Sequence, residues 1–142
     1  MRVYLDTNIL YFMLLRNEAD IDKEVQAILY DAENQMFTST ICVHELLHLC
    51  QIGKIPLGRK NGQVRNTSDI IKWLHAMEIG IINIEERHLA YYATLPFHEN
   101  HRDPNDRLII AQAITDRIPL ISSDLKFSQY VKNGLDFIYN KR

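Results

Sequence analysis

Four acids carry the residue types best suited to chemistry: Asp6, Glu45, Asp106 and Asp124. Asp6 follows the β-branched and aromatic run Val3–Leu5, and Asp124 follows Pro119–Ser122, which also reads as a strand. Glu45 lies early in a helical stretch after Met36–Thr40, and Asp106 falls in the first turn of a helix opened by Asp103-Pro104. Ligands of open parallel sheets bind at the carboxyl ends of the strands, and all four acids are expected on that rim. Carboxylates gathered there repel one another. A hard divalent cation, Mg²⁺ or Mn²⁺, is the simplest partner, because it prefers oxygen ligands. A cation so held activates water and stabilises charge on a phosphate, which predicts phosphodiester hydrolysis.

Taken singly, each acid has a plainer use. Asp6 can cap a turn with Thr7 and Asn8, Asp103 and Asp124 can be helix N-caps, Asp106 can favour a helix dipole, and Glu45 can be a solvated helix residue. The shared placement favours a common site. A competing pattern also occurs: His44-Glu45-Leu46-Leu47-His48 matches H-E-x-x-H, the zinc-peptidase signature with two histidines on one helical face. The extended form of that signature is missing, since Gln51 and Lys54 stand where its glycine and third histidine would be. Asp69 or Glu78 would have to complete a zinc site, and Asp6, Asp106 and Asp124 would be left without a role. His44 and His48 are expected to be a groove-facing and a partly buried histidine. An aspartyl phosphohydrolase would carry Asp-x-Asp after the first strand, where this chain has Asp6-Thr7-Asn8.

The elements that must hold these residues alternate. Strands are expected at Val3–Leu5, Met36–Thr40, Ile79–Ile84, Pro119–Ser122 and, at an edge, Phe137–Tyr139. Helices are expected from Ile9 with Asn8 as cap, and around Ala19–Asp31, where Ile21, Val25, Ile28 and Leu29 form an apolar face. Further helices are expected at Ile41–Gln51, from Ser68 or Asp69 through Trp73, at Glu85–Thr94, from Asp103-Pro104 to Asp116, and at Leu125–Val131. Strands alternating with helices imply a parallel sheet covered on both faces. The fold class is therefore α/β, three-layered, with a mostly parallel sheet of about 4–5 strands.

The 142 residues suit one domain spanning 1–142, with 46% hydrophobic and 24% charged residues, and neither linker nor repeat. The formal net charge of −2 argues against nucleic-acid binding by bulk charge but leaves room for a local basic groove. Leu46–Ser68 has no acidic residue and holds Lys54, Arg59, Lys60 and Arg65. With Arg102 and Arg107 beside the acidic helix, these could contact phosphates; for Arg107 the alternative is a salt bridge within the carboxylate cluster. Cys42 and Cys50, eight residues apart on one helix, stand about 12 Å apart along its axis. They are read as small buried side chains in a reducing cytosol. The N-terminus enters a strand directly and Ile9–Leu15 is too short to cross a bilayer, so a cytoplasmic protein without a signal peptide is expected.

Several stretches, taken in order, resemble the PIN-domain family. VYLDTNIL resembles its opening strand and Asp-Thr-Asn, TSTICVHELLHL its strand and Glu-bearing helix, HRDPNDRLIIAQA its Asp-Pro-x-Asp-Arg helix, and LISSDLKF its last motif. The likeness is closest to the VapC-type toxins of VapBC toxin–antitoxin pairs. It implies a Mg²⁺- or Mn²⁺-dependent endoribonuclease with Asp6, Glu45, Asp106 and Asp124 as catalytic and metal-binding acids. Asp103 would be a weaker candidate, with Asn8 and Ser122 in support. The RNA would be structured, tRNA or ribosomal RNA, the partner a small antitoxin, and the assembly a homodimer. Cys42 departs from the hydroxyl residue common before the family's Glu, and Asn105 from its usual bulky residue. The alternative is a catalytically silent PIN fold that binds RNA without cleaving it.

Overall fold

A computed structural model describes residues 1–57 and 64–142. Five strands, β1 (Arg2–Leu5), β2 (Gln35–Ser39), β3 (Ile79–Ile82), β4 (Leu120–Ser122) and β5 (Phe137–Tyr139), form one sheet in the order β3-β2-β1-β4-β5. Every pairing is parallel. The helices are α1 (Thr7–Leu14), α2 (Lys23–Leu29), α3 (Thr40–Gln51), α4 (Asp69–Ala76), α5 (Glu86–Tyr92) and α6 (Pro104–Asp116). Glu18–Asp20 and Leu125–Asn133 are 3-10 segments.

The central strand β1 has Val3, Tyr4 and Leu5 buried on both faces, as a parallel sheet between helices requires. Each fully buried side chain of this size contributes about 2 kcal/mol through apolar area removed from water. From β1 the chain builds β2 and β3 on one side, then crosses to β4 and β5 on the other. The order therefore reverses between β1 and β4, which is where an open α/β sheet opens its ligand crevice. Register fixes what meets there. Leu5 pairs with Ile121, and the Asp6 N–H donates to the Ile121 carbonyl at 3.0 Å, so Asp6 and Ser122 arrive side by side.

Two expectations about local structure change. Asp6, not Asn8, caps α1 and its carboxylate accepts from the Thr7 N–H; Asp-Thr-Asn offers two good caps within three residues, and the strand end selects the first. The single helix expected over Ala19–Asp31 is divided at Ile21, and Asp22 caps α2 anew. Asp103 caps α6 with Pro104 in its first turn, as expected. Among the described residues, no helix is long and apolar enough to cross a membrane. Cys42 and Cys50 are buried, free thiols.

Candidate metal centre

The four acids reach one cleft by four different routes. Asp6 is delivered by the end of β1. Ser39, at the end of β2, caps α3 through its hydroxyl, which accepts from the Ile41 N–H at 3.1 Å; this starts the helix at the rim and presents Glu45 from its second turn. Asp103 accepts from the N–H groups of Asn105 and Asp106 at 2.9 and 3.3 Å, which aims the first turn of α6. Asp124 follows β4, and its N–H donates to Ser122 Oγ at 3.0 Å. Asp6, Glu45, Asp106 and Asp124 all line a cleft of about 520 Å³, together with Lys54 and Arg142.

Neutral groups, rather than cations, hold the carboxylates. Asp6 accepts from Ser122 Oγ at 2.7 Å, the Thr7 N–H at 2.8 Å and Asn8 Nδ2 at 3.3 Å. Asn8 also bridges to Ser122 Oγ and accepts from the Ser123 N–H, so Asn8 and Ser122 are support for Asp6. Thr7 Oγ1 donates to Glu45 Oε2 at 2.7 Å. The Cys42 thiol points at Asp6 Oδ1 from 3.9 Å. Its pKa is pushed up, first by burial and then by the Asp6 charge, so it stays a thiol.

The electrostatics follow from this arrangement. Burial pushes the Asp6 carboxyl up to about 6; Ser122 and Thr7 oppose the shift, while Glu45 and Asp124 add to it. Asp106 is pushed up to about 8, first by burial and then by the charges of Asp6, Asp103, Glu45 and Asp124. Among the described residues, no lysine or arginine forms an ion pair with Asp6, Glu45, Asp106 or Asp124. Clustered acids without a cationic partner fit a bound divalent ion, which would displace their protons. Three donors are already grouped for one. Ligand atoms of His101, Asp106 and Asp124 all lie within 4.8 Å of one another.

His101 was absent from the sequence-derived set, where Asn100–Arg102 reads only as a polar turn. The available signal was a histidine five residues before Asp106, in the turn that must fold back on the same helix. Burial holds its pKa below the usual histidine value. Thr7 and Arg142 were likewise not singled out for the site, whereas Lys54, one of the expected phosphate contacts, lines the cleft.

The expected phosphate contacts separate. Arg59 and Lys60 lie outside the described residues. Arg102 is exposed, with its guanidinium 5.2 Å from the Phe97 ring centroid. Arg107 is corrected to neither of its two expected roles. It is 3% exposed, donates to the Leu95 carbonyl at 2.6 Å and lies 4.0 Å from the Phe97 ring centroid, because α6 turns this position into the protein. The H-E-x-x-H histidines are also corrected in part: both His44 and His48 are exposed, neither partly buried. Asp69, a conceivable third ligand, is occupied by the N–H groups of Arg65 and Asn66.

Residues 3–133 match the PIN domain, and the chain belongs to that family. Comparison with curated proteins gives no match. Among solved structures, VapBC2 from Rickettsia felis bound to a promoter DNA fragment is similar at 17% identity and TM-score 0.69, covering 99% of this chain and 100% of that one. DNA-bound VapBC from Salmonella typhimurium is similar at 14% identity and TM-score 0.70, covering 98% of each chain. FitAcB from Neisseria gonorrhoeae is similar at 20% identity and TM-score 0.61, covering 99% and 97%. At these identities the likeness is one of fold.

Proposed function

We propose that this PIN domain is a Mg²⁺- or Mn²⁺-dependent endoribonuclease, the toxin of a type II toxin–antitoxin pair, acting in the cytoplasm as a single nuclease domain. The observation that carries the reading is the convergence of Asp6, Glu45, Asp106 and Asp124 on one cleft with no lysine or arginine paired to them among the described residues. Asp106 and Asp124 would hold the ion, with Asp6 and Glu45 beside them. The bound ion would supply an activated water and neutralise charge developing on the phosphate.

The chain's own residues do the rest. Ser122, Thr7 and Asn8 keep the Asp6 and Glu45 oxygens turned toward the cleft. Lys54 and Arg142 bring positive charge to its walls, where a phosphate backbone is positioned without its sequence being read. The solved complexes of VapBC and FitAB-type proteins support a small antitoxin as partner. A homodimer and a tRNA or ribosomal RNA substrate complete the proposal.

The experiment is cleavage of labelled tRNA and ribosomal RNA by the purified chain with Mg²⁺, Mn²⁺, Zn²⁺ or EDTA, beside Asp6→Asn. Cleavage that requires Mg²⁺ or Mn²⁺ and disappears in the variant is expected. Metal-independent RNA binding without cleavage would instead establish a silent binding module, and Zn²⁺-dependent peptide hydrolysis would favour the H-E-x-x-H reading.

A further inference from the structure

His101 places its imidazole against Asp106, one of the acids that line the cleft. It is 4% exposed, and the hydroxyl of Tyr130, itself fully buried, lies 2.8 Å from its Nδ1. Edge-to-face packing against Phe127 and Tyr130, with centroids 5.6 and 5.3 Å away, fixes the plane of the ring. Nε2 is then the ring nitrogen left for the acids. It stands 3.3 Å from Asp106 Oδ2, a long contact for a hydrogen bond. It also belongs to the group of ligand atoms, shared with Asp106 and Asp124, that lie within 4.8 Å of one another.

A metal-binding histidine commonly uses its second ring nitrogen to bond a neighbouring polar group, which sets ring orientation and tautomer. Tyr130 is placed to do this for His101. Its other ring nitrogen meets Asp106, a carboxylate that lines the cleft.

We propose that His101 Nε2 is a direct ligand of the divalent cation, making the centre a mixed nitrogen and oxygen site with Asp106 and Asp124. This rests on the metal-dependent reading of the cleft given above. The consequence is selectivity. Carboxylates alone suit Mg²⁺, Ca²⁺ and Mn²⁺, whereas an imidazole adds affinity for transition metals along the series from Mn²⁺ to Co²⁺ and Ni²⁺. Of the two ions named above, the site therefore favours Mn²⁺ over Mg²⁺.

The test uses the full chain, titrated calorimetrically with Mn²⁺ and with Mg²⁺. Pulsed electron paramagnetic resonance on the Mn²⁺-loaded protein then reads nitrogen coupling directly. Wild type, wild type labelled with ¹⁵N-histidine, His101→Gln and the double variant His44→Gln/His48→Gln are compared. Wild type should bind Mn²⁺ more tightly than Mg²⁺ and show a ¹⁴N coupling that becomes a ¹⁵N coupling on labelling. His101→Gln should lose that coupling and about 10- to 100-fold of Mn²⁺ affinity, with a smaller loss for Mg²⁺. The double variant should retain both.

Should His101→Gln fail to fold, the labelled wild type and the double variant decide the matter between them. Mn²⁺ bound without nitrogen coupling overturns the His101 assignment and leaves the nuclease reading standing. Coupling lost only in the His44/His48 variant does the same and moves the nitrogen to α3. Absence of any Mn²⁺ or Mg²⁺ binding to wild type overturns both.

Discussion

Helix α6 carries an acid at each end, and the two behave oppositely. Asp106 lies in its first turn, where the helix dipole favours a negative charge, and Asp116 is its last residue, where the dipole opposes one. Yet Asp106 is pushed up to about 8, while Asp116 is held below the usual carboxylate range. Burial raises both. At Asp116 it is outweighed by hydrogen bonds from Tyr4 OH at 2.5 Å, His88 Nε2 at 2.9 Å and Arg87 Nη1 at 2.5 Å. At Asp106 the neighbours are further carboxylates. The immediate partners thus decide the outcome over the dipole. One end of the helix is electrostatically complete and holds the fold together; the other is left wanting a cation, which is how a site for one is built.

The largest expected effect separates the two ends by function. Asp6→Asn should lower RNA cleavage by about 10²–10³-fold, the scale of removing one charge-stabilising group, while the metal-free protein unfolds at the same temperature or higher. Asp116→Ala should show the reverse. Cleavage persists, and stability in denaturant melts falls by about 3 kcal/mol because His88 is left buried without its partner. Equal loss of activity in both variants would erase the contrast.

The pH dependence sharpens it. Raised folded-state values mean that Asp6 and Asp106 bind more protons folded than unfolded, so stability must fall as pH rises. In EDTA, melting temperature should decline from about pH 4 through the titrations near 6 and near 8. Added Mn²⁺ should restore it most at the alkaline end. Asp116 contributes in the opposite sense, with stability present above the usual carboxylate range and lost as pH falls. A metal-free melting curve flat from pH 5 to 8 would contradict the uncompensated rim.

Smaller effects probe the supports. Thr7→Val removes the hydroxyl that orients Glu45 and should cost about tenfold in cleavage, the low end for a group that positions a metal ligand. Arg117, which ends α6 at φ 55 in the left-handed region, should accept glycine. Arg117→Gly is expected to raise stability by about 0.5 kcal/mol with no change in cleavage.

Much of this contrast could be read from the chain alone, because its signals are local. Val3–Leu5 ends directly at Asp6, Asp124 stands just past the run Pro119–Ser122, and Asp103-Pro104 announces the start of α6. The rim acids followed from those boundaries. What stayed hidden depends on distant packing. Arg107 looks like a phosphate ligand until α6 is rotated against Phe97 and Tyr92. His101 looks like a turn residue until Tyr130, twenty-nine positions later, comes to rest against it. His48, expected to be partly buried, is exposed, because a position at the margin of the α3 apolar stripe can take either side.

The pairing of Asp6 with Ser122 spans 116 positions, and β1 finds its second neighbour only when β4 exists. During synthesis, therefore, the amino-terminal half can emerge and collapse without possessing a working cleft, since two of its walls are still to be translated. Chains that end before Asp124 carry no complete centre. Completion of the rim therefore waits on β4 and the residues that follow it.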